Sequence, residues 1–99
     1  MRLTPDQCSL IIATMDRHIG VSHRVSLYGS RLNDQARGGD VDLLIESDSA
    51  VPIMQSARIK NELEGRLQLP VDLLVIQTDS KKTPFQTIAL AQAVPLEPS

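Results

Sequence analysis

Two short apolar runs with acidic heads, Asp40 to Ile45 (DVDLLI) and Val71 to Ile76 (VDLLVI), flank a segment patterned as a helix. This arrangement constrains the fold more than any other feature of the chain. Runs of this length and composition read as buried strands. The segment Pro52 to Leu67 puts Ile53, Met54, Ala57, Leu63 and Leu67 roughly on one side of a helix, and Pro70 then resets the chain. A strand–helix–strand unit crosses over with a right hand and leaves its strands parallel. Both acidic heads therefore fall at the same end of one sheet.

A further strand is read at Arg24 to Tyr28, which alternates in character and includes the β-branched Val25. The loop from there to Asp40 is too short for a full crossover helix, so antiparallel pairing is expected. The strand's end, Gly29-Ser30, then reaches the same rim. Two helices complete the chain, and both carry a written start signal. Thr4, Pro5 and Gln7 form one cap, with Cys8, Ile11, Ile12, Met15 and Ile19 at helical spacing before Gly20. Thr83 to Gln86 repeats the cap ahead of Phe85, Ile88 and Ala89, and this helix stops before Pro95. The expected fold is α+β and two-layered, one domain over residues 1–99. Its mixed sheet has about three to four strands flanked by helices.

Composition narrows the function. Net charge is -2 and the basic residues are scattered, which argues against direct binding of a nucleic-acid backbone. Tyr28 and Phe85 are the aromatic residues, too few for a base-stacking platform. No apolar stretch is long enough to span a bilayer and the N-terminus lacks an apolar signal region, so a cytoplasmic protein without a membrane partner is expected. Cys8 cannot form an internal disulfide and is read as core, and no Cys/His metal spacing exists. His18 and His23 are read as surface residues. Glu62, Glu64, Lys60 and Arg66 are read as a solvated helix face, and Lys81-Lys82 as a short basic step in a loop.

The chemistry concentrates at the rim. Asp40 and Asp42, two apart in a strand, project side by side, and Asp72 stands at the matching position of the parallel strand. Carboxylates gathered in this way repel, so one holds a proton or cations lie between them. Hard divalent ions such as Mg²⁺ suit oxygen ligands of this kind together with substrate phosphates. Two such ions can clamp the attacking and leaving oxygens of a phosphoryl displacement. Gly29 allows close backbone approach to a phosphate, and Ser30 offers a hydroxyl and an N–H. Plainer roles exist for each residue alone. Asp40 can serve a turn after Gly38-Gly39, Arg31 and Arg37 can pair with the aspartates, and Asp72 can guard a strand edge.

Together these residues resemble the DNA polymerase beta-like nucleotidyltransferase superfamily. Its motif stands here as Gly29-Ser30, nine residues, Asp40-Val41-Asp42, and Asp72 on a later strand. The loop is slightly shorter than in many members, and Gly39 stands where a serine commonly precedes the first aspartate. The resemblance implies that Gly29 and Ser30, with Arg31, bind the triphosphate of ATP. It implies that Asp40, Asp42 and Asp72 are catalytic and hold two Mg²⁺ ions. The reaction implied is AMP transfer to a hydroxyl, with an acceptor site supplied by another protein because the chain ends soon after its last helix. Small members resemble the MNT antitoxin of HEPN/MNT toxin–antitoxin modules, so the implied partner is a HEPN-type helical toxin in a hetero- or homo-oligomer. The alternative is an inactive member that acts only as a partner-binding or regulatory module.

Overall fold

The computed structural model describes residues 3–29 and 41–97. Its elements run α1 (Pro5–His18), β1 (His23–Leu27), β2 (Val41–Ser47), α2 (Ile53–Leu67), β3 (Val71–Gln77), α3 (Pro84–Gln92) and β4 (Val94–Pro95). The strands form one sheet in the order β3-β2-β1-β4. β2 pairs parallel to β3 across the α2 crossover and antiparallel to β1, as the spacing requires. β4 is a two-residue strand that pairs antiparallel to β1 through Ser26 and Leu27.

Both helix caps form as written. Thr4 and Thr83 accept from the N–H of Gln7 and Gln86, while those glutamine side chains bond back to the cap amides. Each hydroxyl cap stabilises its helix by about 1 kcal/mol.

The sheet's two faces divide the core by period-two alternation. Val25, Leu27, Val41, Leu43, Ile45 and Val71 face α1 and α2, where Ile11, Met15, Ile59 and Leu63 meet them. Burial of each such side chain contributes about 1.5–3 kcal/mol. On the opposite face Leu44, Ile76 and Ala89 of α3 form a smaller cluster, joined by Tyr28, Leu74 and Leu90.

Several details differ from the sequence expectation. The buried stripe of α2 is Ile59, Leu63 and Leu67, whereas Ile53 and Met54 are 86% and 69% exposed. At about 100° per residue Met54 lies about 180° around the helix from Leu63 and Ala57 about 120°, so the five cannot share a face, while Ile53, about 40° from Leu67, is exposed as the first residue of the helix. Cys8 and Ile12 are half-buried flanks of the α1 core face. The histidines are not simply solvated: His18 Nε2 lies 3.0 Å from Glu62 Oε1, and His23 Nε2 lies 3.0 Å from Asp16 Oδ1. Nor are the acidic residues of α2 a free face. Glu62 ties α1 to α2 through Arg17 and His18 and also meets Arg66.

Hydrogen bonding from Arg17 first, then from His18, lowers the Glu62 pKa from 4.5 to about 2. A depressed folded-state pKa contributes stability above the ordinary carboxylate range, and that contribution disappears as pH falls toward the folded value. Thermal melts should therefore show wild-type protein losing stability from about pH 4.5 to about pH 2 more steeply than Glu62→Gln. Equal acid slopes would mean that this junction carries no linkage.

Candidate functional site

The site is built where three chain segments end or begin at one rim of the sheet. β1 runs toward it and ends at Leu27, after which Tyr28 donates its N–H to the Asp42 carbonyl at 3.0 Å. Asp42 is the second residue of β2 and Asp72 the second of β3, and the register pairs them directly. Adjacent strands lie about 4.8 Å apart, so the two carboxylates leave the backbone as close neighbours on one face. Asp42 is half-buried and Asp72 exposed.

Gly29 closes the third side. Its φ is 79°, the left-handed region that glycine alone enters without strain. A Cβ at this position would stand 2.5 Å from Asp42 Oδ2 and 3.2 Å from its Cγ. The backbone and the carboxylate therefore share a cradle that any larger residue would fill. Gly29, Asp42 and Asp72 converge as expected, while Ser30, Arg31 and Asp40 lie outside the described residues. So do Arg37 and Gly39.

Like charges paired across strands are destabilising. Their field also reaches Tyr28, which the sequence reading placed only as a strand residue. Burial raises the Tyr28 pKa most, and the negative charges of Asp42 and then Asp72 raise it further. Its position opposite Asp42 follows from the antiparallel register one step beyond Leu27–Leu43. Tyr28 is the one tyrosine of the chain and there is no tryptophan, so phenolate absorbance reports this group alone. In Asp72→Asn its titration midpoint should move down relative to wild type, because a negative neighbour has gone. An unmoved midpoint would show that position 72 does not face Tyr28.

The donor chemistry suits a hard divalent cation, since carboxylate oxygens are the ligands Mg²⁺ takes. Among the described residues no cluster of three or more His, Cys, Asp or Glu side chains forms a metal site. Asp42 and Asp72 supply two carboxylates, and the third in the sequence pattern is Asp40. The basic step at Lys81-Lys82 belongs elsewhere. Lys82 Nζ donates to the carbonyls of Gln77, Thr78 and Ser80 at 3.2, 2.9 and 2.6 Å, beyond the far end of β3 from Asp72.

Comparison with protein families matches residues 11–95 to the family described as Polymerase beta, Nucleotidyltransferase. Comparison with the curated proteins finds no match. Among solved structures, one assigned as a minimal nucleotidyltransferase superposes with a TM-score of 0.70 at 27% identity, covering 92% of this chain and 90% of the other. A tri-AMPylated Shewanella oneidensis HEPN toxin in complex with MNT antitoxin gives 0.73 at 18% identity, over 97% and 74%. A toxin–antitoxin crystal structure with AMP-PNP gives 0.72 at 21% identity, over 98% and 75%. At these identities the last two show a shared fold.

Proposed function

Because the chain belongs to the polymerase beta nucleotidyltransferase family, we propose that it transfers AMP from ATP to a hydroxyl of a protein partner. That partner is a HEPN-type helical toxin, which the chain neutralises as its antitoxin. The observation that carries this reading is the register pairing of Asp42 with Asp72 beside the left-handed Gly29. A surface used only for docking gains nothing from carboxylates that repel each other. Structural likeness to an MNT antitoxin bound to an AMPylated HEPN toxin, and to a complex with AMP-PNP, supports the choice of nucleotide and partner.

Each residue has a role. Gly29 lets the backbone approach the triphosphate, and Ser30 and Arg31 bond its oxygens. Asp40, Asp42 and Asp72 would hold two Mg²⁺ ions. When bound, these ions offset the charge on the phosphate oxygens and support an in-line displacement. The acceptor hydroxyl oxygen forms a bond to the α-phosphorus of ATP, the bond from that phosphorus to the bridging oxygen breaks, and pyrophosphate leaves. The Asp72 carboxylate takes the hydroxyl proton. Asp42, less exposed than Asp72, keeps the site's charge close to the sheet.

The test is to incubate the chain with Mg²⁺, a HEPN-type toxin and ATP labelled at either the α- or the γ-phosphate. The α-label should become covalently attached to the toxin, and the γ-label should leave as pyrophosphate. A toxin silenced with neither label attached would replace transfer by binding alone.

A further inference from the structure

We propose that Glu64 is a positioning residue for the candidate metal site, holding the head of β3 so that Asp72 stays in register with Asp42. The inference rests on the metal-binding reading of that pair.

Asp72 is exposed, so its place is set by the strand that carries it rather than by side-chain packing. That strand is at the edge of the sheet and has a neighbour on one side only. In such a strand the backbone groups that point away from the ladder need other partners. Pro70 has no N–H, and its carbonyl accepts from Val41 N–H at 2.8 Å, which starts the pairing of β2 with β3. The next amide, that of Val71, is taken by Glu64 Oε2 at 2.9 Å. Val71 immediately precedes Asp72.

Glu64 also holds the other end of the same connection. Its backbone carbonyl accepts from Gln68 N–H at 2.9 Å, where the chain turns through a left-handed residue with φ 58°. One residue thus caps α2 through its main chain and anchors β3 through its carboxylate. A hydrogen bond to an ionised acceptor is stronger than one between neutral groups. A residue serving merely as a solvated helix face would have no such bond to a strand amide. Removing the carboxylate loosens the outer side of an edge strand one residue from a proposed ligand, leaving the Val41–Pro70 bond on its inner side, and such outer contacts tune metal affinity.

The experiment measures Mn²⁺ affinity by electron paramagnetic resonance, with an ATP analogue that cannot be cleaved between its α- and β-phosphates. Measurements are made well below each variant's melting temperature. Asp72→Asn should weaken binding, which establishes that the ion uses this residue. Glu64→Ala should weaken it on the order of tenfold, while Glu64→Gln, which keeps an acceptor oxygen, stays close to wild type. Glu64→Asp keeps the charge but is too short to reach the amide and should side with Glu64→Ala. If Glu64→Ala does not fold, the Asp and Gln variants decide the matter in the same way. Wild-type affinity in Glu64→Ala or Glu64→Asp, with binding weakened in Asp72→Asn, overturns the positioning role alone. Unchanged affinity in Asp72→Asn overturns the metal-site reading and this inference with it.

Discussion

Gly29→Ala should lower kcat/KM for AMP transfer on the order of a hundredfold while the chain remains folded. Two independent costs meet at this residue. The backbone sits at φ 79°, where a Cβ costs about 1–2 kcal/mol. The new methyl would also lie 2.5 Å from Asp42 Oδ2, so the carboxylate must swing away or the turn must open. Either response shifts part of the site, the Asp42 carboxylate or the Gly29 backbone, by about 1 Å, a displacement that can cost about 10²-fold in rate. The strain alone predicts a modest fall in melting temperature, whereas the displacement predicts the loss of turnover. Parallel measurement of melting temperature and label transfer separates them. Wild-type turnover in this variant would mean that the position of Asp42 is unimportant to the reaction.

Asp72→Asn should remove turnover by more than about a hundredfold, since even outer partners of metal ligands cost 10–100-fold in affinity or activity. Binding of ATP should change much less than binding of the ion that Asp72 holds. A group that takes a proton and supports the displacement acts in the transition state rather than in ground-state binding. Stability should change in the opposite direction. Asp72 is paired in register with Asp42, and removing one of two like charges relieves a cross-strand repulsion. The gain is about a few tenths of a kcal/mol, because Asp72 is exposed and water screens it. A variant that is slightly more stable and catalytically inert is the signature of charge kept for function. Loss of ATP binding with turnover retained would assign Asp72 the wrong role.

The topology was legible because it rests on connection rules rather than on fine packing. A helix between two acidic-headed runs makes them parallel, and a short loop makes the first pair antiparallel, so the rim follows before any side chain is placed. The caps at Thr4 and Thr83 were readable because each cap is a local bond within four residues. The buried face of α2 was not. Apolar Ile53 and Met54 look like core in sequence, but burial is decided by which side meets the sheet, and that side is fixed by Ile59, Leu63 and Leu67. The contacts of Tyr28 and Glu64 were not legible for a related reason. The environment of Tyr28 comes from two strands that follow it in sequence, and Glu64 bonds an amide seven residues ahead across a helix end. No compositional signal marks either contact. Gly29 was the exception among non-local features, because the residue type itself announces a tight approach.

The most direct test is anomalous diffraction from crystals soaked with Mn²⁺ and an ATP analogue resistant to cleavage between the α- and β-phosphates. The account predicts Mn²⁺ peaks within coordination distance of both Asp42 and Asp72, with the triphosphate against Gly29. Peaks remote from this pair, or nucleotide bound with neither carboxylate touching an ion, would contradict it.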